Sequence, residues 1–273
     1  MMDKEDYTDP ACPFCTEQFG KMPSVRRIPI ERVMAKLDAL HEEKDPAGAA
    51  RHLAYWLEEA KLGGDVRGQF TIYNELMGLY RKRGKRKKAI ESAEAALALC
   101  EDEELRGTVS VGTAYLNAAT VYKAFGEPQR SIELFERAKE IYEAQLQASD
   151  PRLGGLYNNM GLTLVDLKRY SEARELYQKA LKVMKKAPNG ELECAITHLN
   201  IASAAEAELG LEKAEEKIAA CLAEAKKLLD APHLPRNGYY QFVCDKCASV
   251  FGYYGYFADE AELISRAGKR VGI

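Results

Sequence analysis

The chain has 273 residues, of which 30% are charged, and its formal net charge at pH 7 is −3. This near balance provides no overall attraction to nucleic acid or to a membrane surface, so we expect neither as a partner. No run of 18 apolar residues is present, so we predict no membrane-spanning helix. The acidic first residues lack the apolar centre of a secretion signal, and the seven cysteines are scattered. We therefore expect a reduced, cytoplasmic setting.

Residues 1–28 differ from the rest of the chain. They contain Pro10, Pro13 and Pro23, few helix-forming residues and little hydrophobic periodicity. We predict an irregular N-terminal tail over 1–28, followed by a helical region over 29–273. The tail is too short and too rich in proline for a helix-turn-helix, which is a further reason not to expect DNA binding.

An asparagine recurs through the helical region at intervals of about 42 residues, at Asn74, Asn117, Asn159 and Asn200. Small and large residues follow each asparagine at similar distances, as helices that pack closely require. A period of this length predicts an all-α fold, a right-handed superhelical solenoid of stacked helix pairs. We place about six pairs, in units at 31–65, 70–111, 112–153, 154–194, 195–230 and 240–270.

The best-defined unit contains Asn158-Asn159-Met160-Gly161, followed by Tyr170-Ser171-Glu172-Ala173 and then by Tyr177 and Ala180. In these residues the chain resembles the tetratricopeptide repeat family, and in particular the long-repeat variety of kinesin light chains and related bacterial proteins. The resemblance is strong over 112–229, good over 70–111 and degenerate over 31–65 and 240–270. It implies a protein-interaction scaffold whose first helices line a concave groove that binds an extended peptide or protein segment.

The resemblance also implies which residues contact the peptide. In the family the repeated asparagine bonds the ligand backbone, and its amide offers both a donor and an acceptor. This role falls on Asn117, Asn159 and Asn200. Asn74 and Asn158 lie one residue from the matching register and complete the predicted set of asparagines. The residues alone leave a second interpretation open, in which these side chains bond a neighbouring repeat or cap a turn.

Basic residues extend the predicted peptide-binding set. One branch of the family holds a terminal carboxylate with lysine and arginine, and Arg81, Lys82 and Lys123 lie on the matching face. Leu116 and Leu162 occupy other positions on this face, so we include the basic residues but do not expect a carboxylate clamp.

A run of seven basic residues in eight spans 81–88. Such a run can bind phosphate groups or an acidic partner. No aromatic residue interleaves with it and the rest of the chain is not basic, so we interpret it as a solvated turn.

Two Cys-x-x-Cys pairs occur, Cys12 with Cys15 and Cys244 with Cys247. Four thiolates would suit zinc, but these pairs lie near opposite ends of the sequence, and an extended solenoid keeps its ends apart. Core packing on a helix explains the second pair. We predict no bound metal and no cofactor.

Aromatic residues crowd the last unit: Tyr239, Tyr240, Phe242, Phe251, Tyr253, Tyr254, Tyr256 and Phe257. One interpretation is a terminal cap that packs them inside. The other is an exposed face for a partner or for a second copy of the chain, which would give a homodimer.

Catalytic motifs are missing from the sequence. The four histidines show no ligand spacing, and neither a phosphate-binding loop nor a nucleophile motif occurs. We therefore predict a non-enzymatic scaffold for protein binding. The alternative is a peptide-sensing regulatory repeat protein that acts on a protein partner.

Overall fold

The computed structural model describes residues 25–269, and within this range the chain forms twelve α-helices and no β-strand. The helices are α1 (Ile30–Glu42), α2 (Pro46–Leu62), α3 (Val66–Lys82), α4 (Arg86–Leu99), α5 (Val109–Ala124), α6 (Pro128–Gln145), α7 (Pro151–Asp166), α8 (Tyr170–Met184), α9 (Glu191–Leu209), α10 (Leu211–Leu229), α11 (Gly238–Tyr253) and α12 (Phe257–Arg266). The predicted all-α fold is confirmed. None of these helices is both long and apolar enough to cross a bilayer. Most of the predicted tail at 1–28 lies outside the described residues.

The chain divides into two compact units, one ending at Leu76 and the other beginning at Met77. In the first unit α1 packs on α2, and Val33, Leu37 and Leu53 are buried. Asp65 is also buried, and its carboxylate accepts the N–H groups of Ile28 and Gly68, each at 2.9 Å. Asp65 therefore caps α3 and fixes the segment that precedes α1.

In the second unit, consecutive helices pack as pairs: α5 on α6, α7 on α8, α9 on α10 and α11 on α12. Contacts of α4 with α5, α6 with α7 and α8 with α9 connect one pair to the next. The first helices of neighbouring pairs also contact one another directly, α5 with α7, α7 with α9 and α9 with α11. One layer of first helices therefore runs through this unit.

Matched small and large residues explain the packing within the pairs. The small ones lie on first helices and the large ones on second helices: Ala119 and Phe135, Gly161 and Tyr177, Ala202 and Ile218. All six are buried. A Cβ on Gly161 would lie 2.5 Å from Cε1 of Tyr177, so this pair requires glycine where its neighbours have alanine.

The turn within a pair requires one residue with positive φ, which is 79° at Gly126 and 81° at Gly210. Lys168 takes the same place with φ of 60°, although a side chain in this region costs about 1–2 kcal/mol. The fold therefore keeps the turn geometry where the sequence lacks glycine.

The helices begin slightly before the units read from the sequence, α5 at Val109 and α7 at Pro151. Side-chain caps explain this difference: Thr108 accepts from the N–H of Val111, and Asp150 accepts from the N–H of Arg152. The predicted unit boundaries remain predictions.

Candidate functional site

Asn117, Asn159 and Asn200 lie near the middle of α5, α7 and α9, and all three are half-buried. The helices that carry them contact one another in sequence order. Nδ2 of Asn159 donates to the carbonyl oxygen of Gly155 at 2.9 Å, one helical turn earlier. The peptide-binding role of the three asparagines stays a prediction.

Asn158 lies inside the protein, with 6% of its surface exposed. Its Nδ2 donates to Oγ1 of Thr197 at 2.7 Å, which links α7 to α9, and the Thr197 hydroxyl donates in turn to the carbonyl oxygen of Glu193 at 2.7 Å. Oδ1 of Asn158 is buried and has no hydrogen-bond partner among the described residues. Asn158 therefore matches the second interpretation, a bond to the neighbouring repeat, and we leave it out of the proposed groove contacts.

Asn74 belongs to the first unit, where its Nδ2 donates to the carbonyl oxygen of Phe70 at 2.9 Å. This is the same one-turn bond that Asn159 makes. Arg81 and Lys82 lie at the C-terminal end of α3, where positive charge complements the helix dipole. Whether these three residues contact a peptide stays a prediction.

Lys123 forms an ion pair with Asp166, with Nζ and Oδ2 separated by 3.1 Å. The pair joins α5 to α7, at the C-terminal ends of both helices. Because Asp166 already neutralises this charge, Lys123 would attract a ligand carboxylate less strongly than an unpaired lysine would.

The basic run at 81–88 covers the end of α3, the following turn and the start of α4. Arg86 pairs with Glu127 at 2.6 Å between Nη2 and Oε1, and Nζ of Lys88 lies 5.4 Å from the centre of the Tyr80 ring. The Arg86 and Glu127 side chains are 59% and 31% exposed. These contacts fit the interpretation of the run as a solvated turn.

Cys244 and Cys247 are fully buried in the core formed by α9 to α12. Burial raises the pKa of the Cys247 thiol to about 12, which opposes the thiolate that a metal requires. Within residues 25–269, no group of three or more His, Cys, Asp or Glu side chains is arranged to hold a metal ion. Cys12 and Cys15 lie outside the described residues.

The aromatic residues of the last pair divide into two groups. Tyr240 and Phe251 are buried with 1% exposure each, as the cap interpretation requires. Tyr239, Phe242 and Tyr253 are exposed and share one face of α11, as their helical spacing dictates. Each interpretation therefore describes part of the cluster, and a partner protein or a second copy of the chain remain the two alternatives for the exposed group.

Glu193 is not among the residues predicted from the sequence, and it lies two turns before Asn200 on the same face of α9. The Tyr239 hydroxyl donates to the carboxylate of Glu193, and the Tyr239 and Phe242 rings stack with their centres 6.3 Å apart. An acidic residue in a first helical turn is common, so its type alone gives no signal. Its seven-residue spacing from Asn200 could have identified it.

A family model described as tetratricopeptide repeat matches residues 68–144 and 152–233, more than half of the chain. A Clustered mitochondria protein homolog of Candida albicans is 28% identical over 121 residues, which are 44% of this chain and 9% of that protein. The match therefore spans only a small part of that relative.

Two solved structures share the architecture. RapI in its apo form matches with a TM-score of 0.57 at 13% identity, covering 88% of this chain and 96% of that one. The nearly identical repeats of a candidate kinesin light chain from Podosopora anserina match with a TM-score of 0.52 at 18% identity, covering 73% of this chain and 93% of that one. At such identities the likeness concerns the fold alone. The family model covers more than half of the chain and agrees with this fold, so the chain belongs to the tetratricopeptide repeat family.

Proposed function

We propose that this protein is an interaction module that binds an extended peptide segment along the layer formed by α5, α7 and α9. Tetratricopeptide repeats typically serve as scaffolds for protein interaction and are generally not enzymes. The observation that carries the proposal is the recurrence of a half-buried asparagine, Asn117, Asn159 and Asn200, at corresponding places on three helices in direct contact.

The spacing of packed helices suits an extended peptide. Axes of packed helices lie roughly 8–10 Å apart, and an extended strand rises about 3.3 Å per residue. One asparagine would then meet about every third residue of the peptide. Asn159 already uses an amide hydrogen on Gly155, so its Oδ1 is the atom we expect to accept a peptide N–H.

The neighbouring face of α11 supports selectivity for apolar side chains. Tyr239 and Phe242 are 48% and 58% exposed, and their rings stack on each other. The Tyr239 hydroxyl bonds Glu193, which lies on the same face of α9 as Asn200. An exposed aromatic pair of this kind provides a large contact area with little loss of conformational entropy. We therefore propose that the segment carries a large apolar side chain where it passes α11.

The proposed partner is a peptide or a segment of another protein, and neither nucleic acid nor a membrane. We place the interaction in the cytoplasm, on the scattered and odd number of cysteines in the sequence. We also propose that the protein catalyses no reaction.

The test begins with a selection of random peptides on the immobilised protein, followed by fluorescence anisotropy with the enriched peptides. Replacing Asn117, Asn159 and Asn200 together with alanine should weaken binding, because each lost amide contact costs about 0.5–1.5 kcal/mol. The expected loss is about one to three decades in Kd. Circular dichroism should show unchanged helicity.

A matched control removes amides from second helices instead. Gln129→Ala with Gln178→Ala takes two exposed amides from α6 and α8 and should leave Kd unchanged. An equal loss in both variants, or full affinity in the asparagine variant, would contradict the proposal.

A further inference from the structure

The turns of the last two helix pairs carry an exposed apolar surface that the groove proposal does not use. Leu209 and Leu211 flank the turn between α9 and α10, and their exposed fractions are 45% and 57%. Tyr253, Tyr256 and Phe257 lie around the turn between α11 and α12, with 70%, 38% and 69% exposed. We call these five residues the turn-edge patch. Large apolar side chains gathered at one edge mark a surface for interaction with another protein.

A cavity of about 290 Å³ opens beside this patch. Its lining residues come from α10 and from the turn after α11: Leu211, Glu212, Glu215, Ile218, Tyr254 and Tyr256. The charged members are two carboxylates, and the lining residue Ile218 is buried. This volume lies at the lower end of the range for ligand pockets, roughly 300–1,000 Å³, and it is large enough for one long side chain.

Contacts from outside the cavity fix its aromatic walls. The hydroxyl of Tyr254 donates to Oε2 of Glu206 at 2.8 Å, and that of Tyr253 donates to Oε1 of the same carboxylate at 2.7 Å. The Tyr256 ring meets the buried Phe251 ring edge to face, with centres 6.2 Å apart. A ligand therefore finds the two rings already oriented, which reduces the entropic cost of binding.

We propose that this cavity binds the side chain of a lysine or arginine from a partner protein, whose adjacent apolar residues cover the turn-edge patch. A long basic side chain lays its aliphatic stem on apolar surface and keeps its charge at the polar rim. Here the stem would lie on Leu211 and Ile218, and the cation would meet the rings of Tyr254 and Tyr256 and the carboxylates. Aromatic faces and carboxylates both attract a cation, so the charge of the lining selects a basic residue.

A purely structural role accounts for only part of this arrangement. Glu212 lies in the first turn of α10, where a carboxylate complements the helix dipole. Glu215 lies beyond that turn, and the dipole falls off within it. The helix dipole also gives no reason for two tyrosine rings at the cavity wall.

The probe is a synthetic peptide of alternating leucine and arginine, titrated into the full-length ¹⁵N-labelled protein and followed by NMR. Saturable shifts should appear at the amides of Glu215, Tyr254 and Tyr256. The same peptide with glutamate in place of arginine should cause none. Shifts confined to α5 and α7, or no saturation, would overturn the proposal.

Two variants test separately how much the carboxylates and the Tyr256 ring contribute to binding. Glu212→Gln with Glu215→Gln keeps the shape of the lining and removes its charge, and Tyr256→Leu keeps bulk and removes a ring. Each variant should raise the Kd of the arginine peptide about fivefold to thirtyfold, which corresponds to a loss of about 1–2 kcal/mol of binding free energy. Glu133→Gln with Glu140→Gln removes two exposed carboxylates from α6 and should leave Kd unchanged. Equal losses in this control would show non-specific charge attraction and overturn the proposal.

Analytical ultracentrifugation tests whether a second copy of the chain covers the turn-edge patch instead. The protein without peptide should sediment as a monomer at micromolar concentration. A dimer that Phe257→Ser dissociates would show that a second copy covers the turn-edge patch, and would overturn the assignment to a basic partner. The asparagine variant of the groove should bind the arginine peptide normally, so failure of one proposal is distinguishable from failure of the other.

Discussion

Asn158 and Thr197 form a buried hydrogen bond between α7 and α9, with Nδ2 and Oγ1 separated by 2.7 Å. The next residue, Asn159, is half-buried and bonds only within its own helix in the described contacts. Two adjacent asparagines therefore take different positions, because one residue of α-helix is a rotation of about 100°. One side chain ties neighbouring repeats together, and the other is partly exposed.

Replacing Thr197 with valine should destabilise the protein. Valine keeps the shape of threonine but removes the acceptor for the buried Asn158 amide. The free energy of unfolding should fall by about 1–3 kcal/mol, the cost of an unsatisfied buried donor. Urea denaturation followed by circular dichroism measures the change. In an Asn158→Ala background the same substitution should cost much less, and equal costs in the two backgrounds would contradict the assigned bond.

The repeat period was enough to predict the all-α fold, because stacking helix pairs at a fixed interval is the main way such a sequence can bury its apolar residues. It placed Asn159 in register and Asn158 one residue away, but it could not predict that Asn158 bonds Thr197, since that contact depends on the rotation of α7 against α9. It also could not divide the aromatic residues of α11, where Tyr239 is exposed and Tyr240 is buried. Composition suggests such a cluster, but helix orientation assigns each member to the core or to the surface.

The cavity at the turn edge was beyond sequence reasoning for another reason. Glu212 and Tyr254 lie on different helix pairs, and only the packing of those pairs brings them to one opening. Long-range juxtaposition of this kind leaves no local pattern in the sequence. The helix starts, in contrast, were readable from the caps Thr108 and Asp150.

Gly161→Ala should destabilise the protein although alanine favours helix. The added Cβ would lie 2.5 Å from Cε1 of the buried Tyr177 ring, and overpacking of this kind costs about 1–3 kcal/mol. Gly155 provides the control on the same helix, because a Cβ there meets no atom within 4 Å. Gly155→Ala should raise the free energy of unfolding by about 0.5–1 kcal/mol. Urea denaturation should give opposite signs for the two variants, and the same sign for both would refute the close contact.

Tyr177→Phe should leave stability unchanged or raise it slightly. The Tyr177 hydroxyl is buried without a hydrogen-bond partner among the described residues, so its removal abolishes a desolvation cost. Tyr142 is buried as well, but its hydroxyl lies 2.8 Å from Oγ1 of Thr113. Tyr142→Phe should therefore cost about 0.5–1.5 kcal/mol. Calorimetric melting of both variants measures the two changes in stability. A larger loss of stability for Tyr177→Phe than for Tyr142→Phe would show that the Tyr177 hydroxyl has a partner.

Acid should weaken the junction between α10 and α12 through a network of four charged side chains. Nζ of Lys226 lies 2.9 Å from Asp230 and 3.1 Å from Glu262, and Nη1 of Arg266 lies 2.7 Å from Asp230. The hydrogen bond from Lys226 is the main cause that lowers the pKa of Glu262. Burial raises the pKa of Asp230, but the hydrogen bonds from Lys226 and Arg266 outweigh it, so that pKa is also lowered.

A carboxylate whose pKa is lowered by folding stabilises the protein above its unfolded pKa, and this contribution disappears as the pH falls through the folded value. The ordinary values are 3.8 for Asp230 and 4.5 for Glu262, so the loss should begin below about pH 4.5. Asp230→Asn with Glu262→Gln should be less stable than the native protein at pH 7, and the difference should shrink between about pH 5 and pH 3. Urea denaturation across this range measures it.

Glu175→Gln is the control, because it removes an exposed carboxylate from α8 outside this network, and its stability should follow the native curve at every pH. A constant difference between the double variant and the native protein at every pH would exclude the network as the source of acid sensitivity.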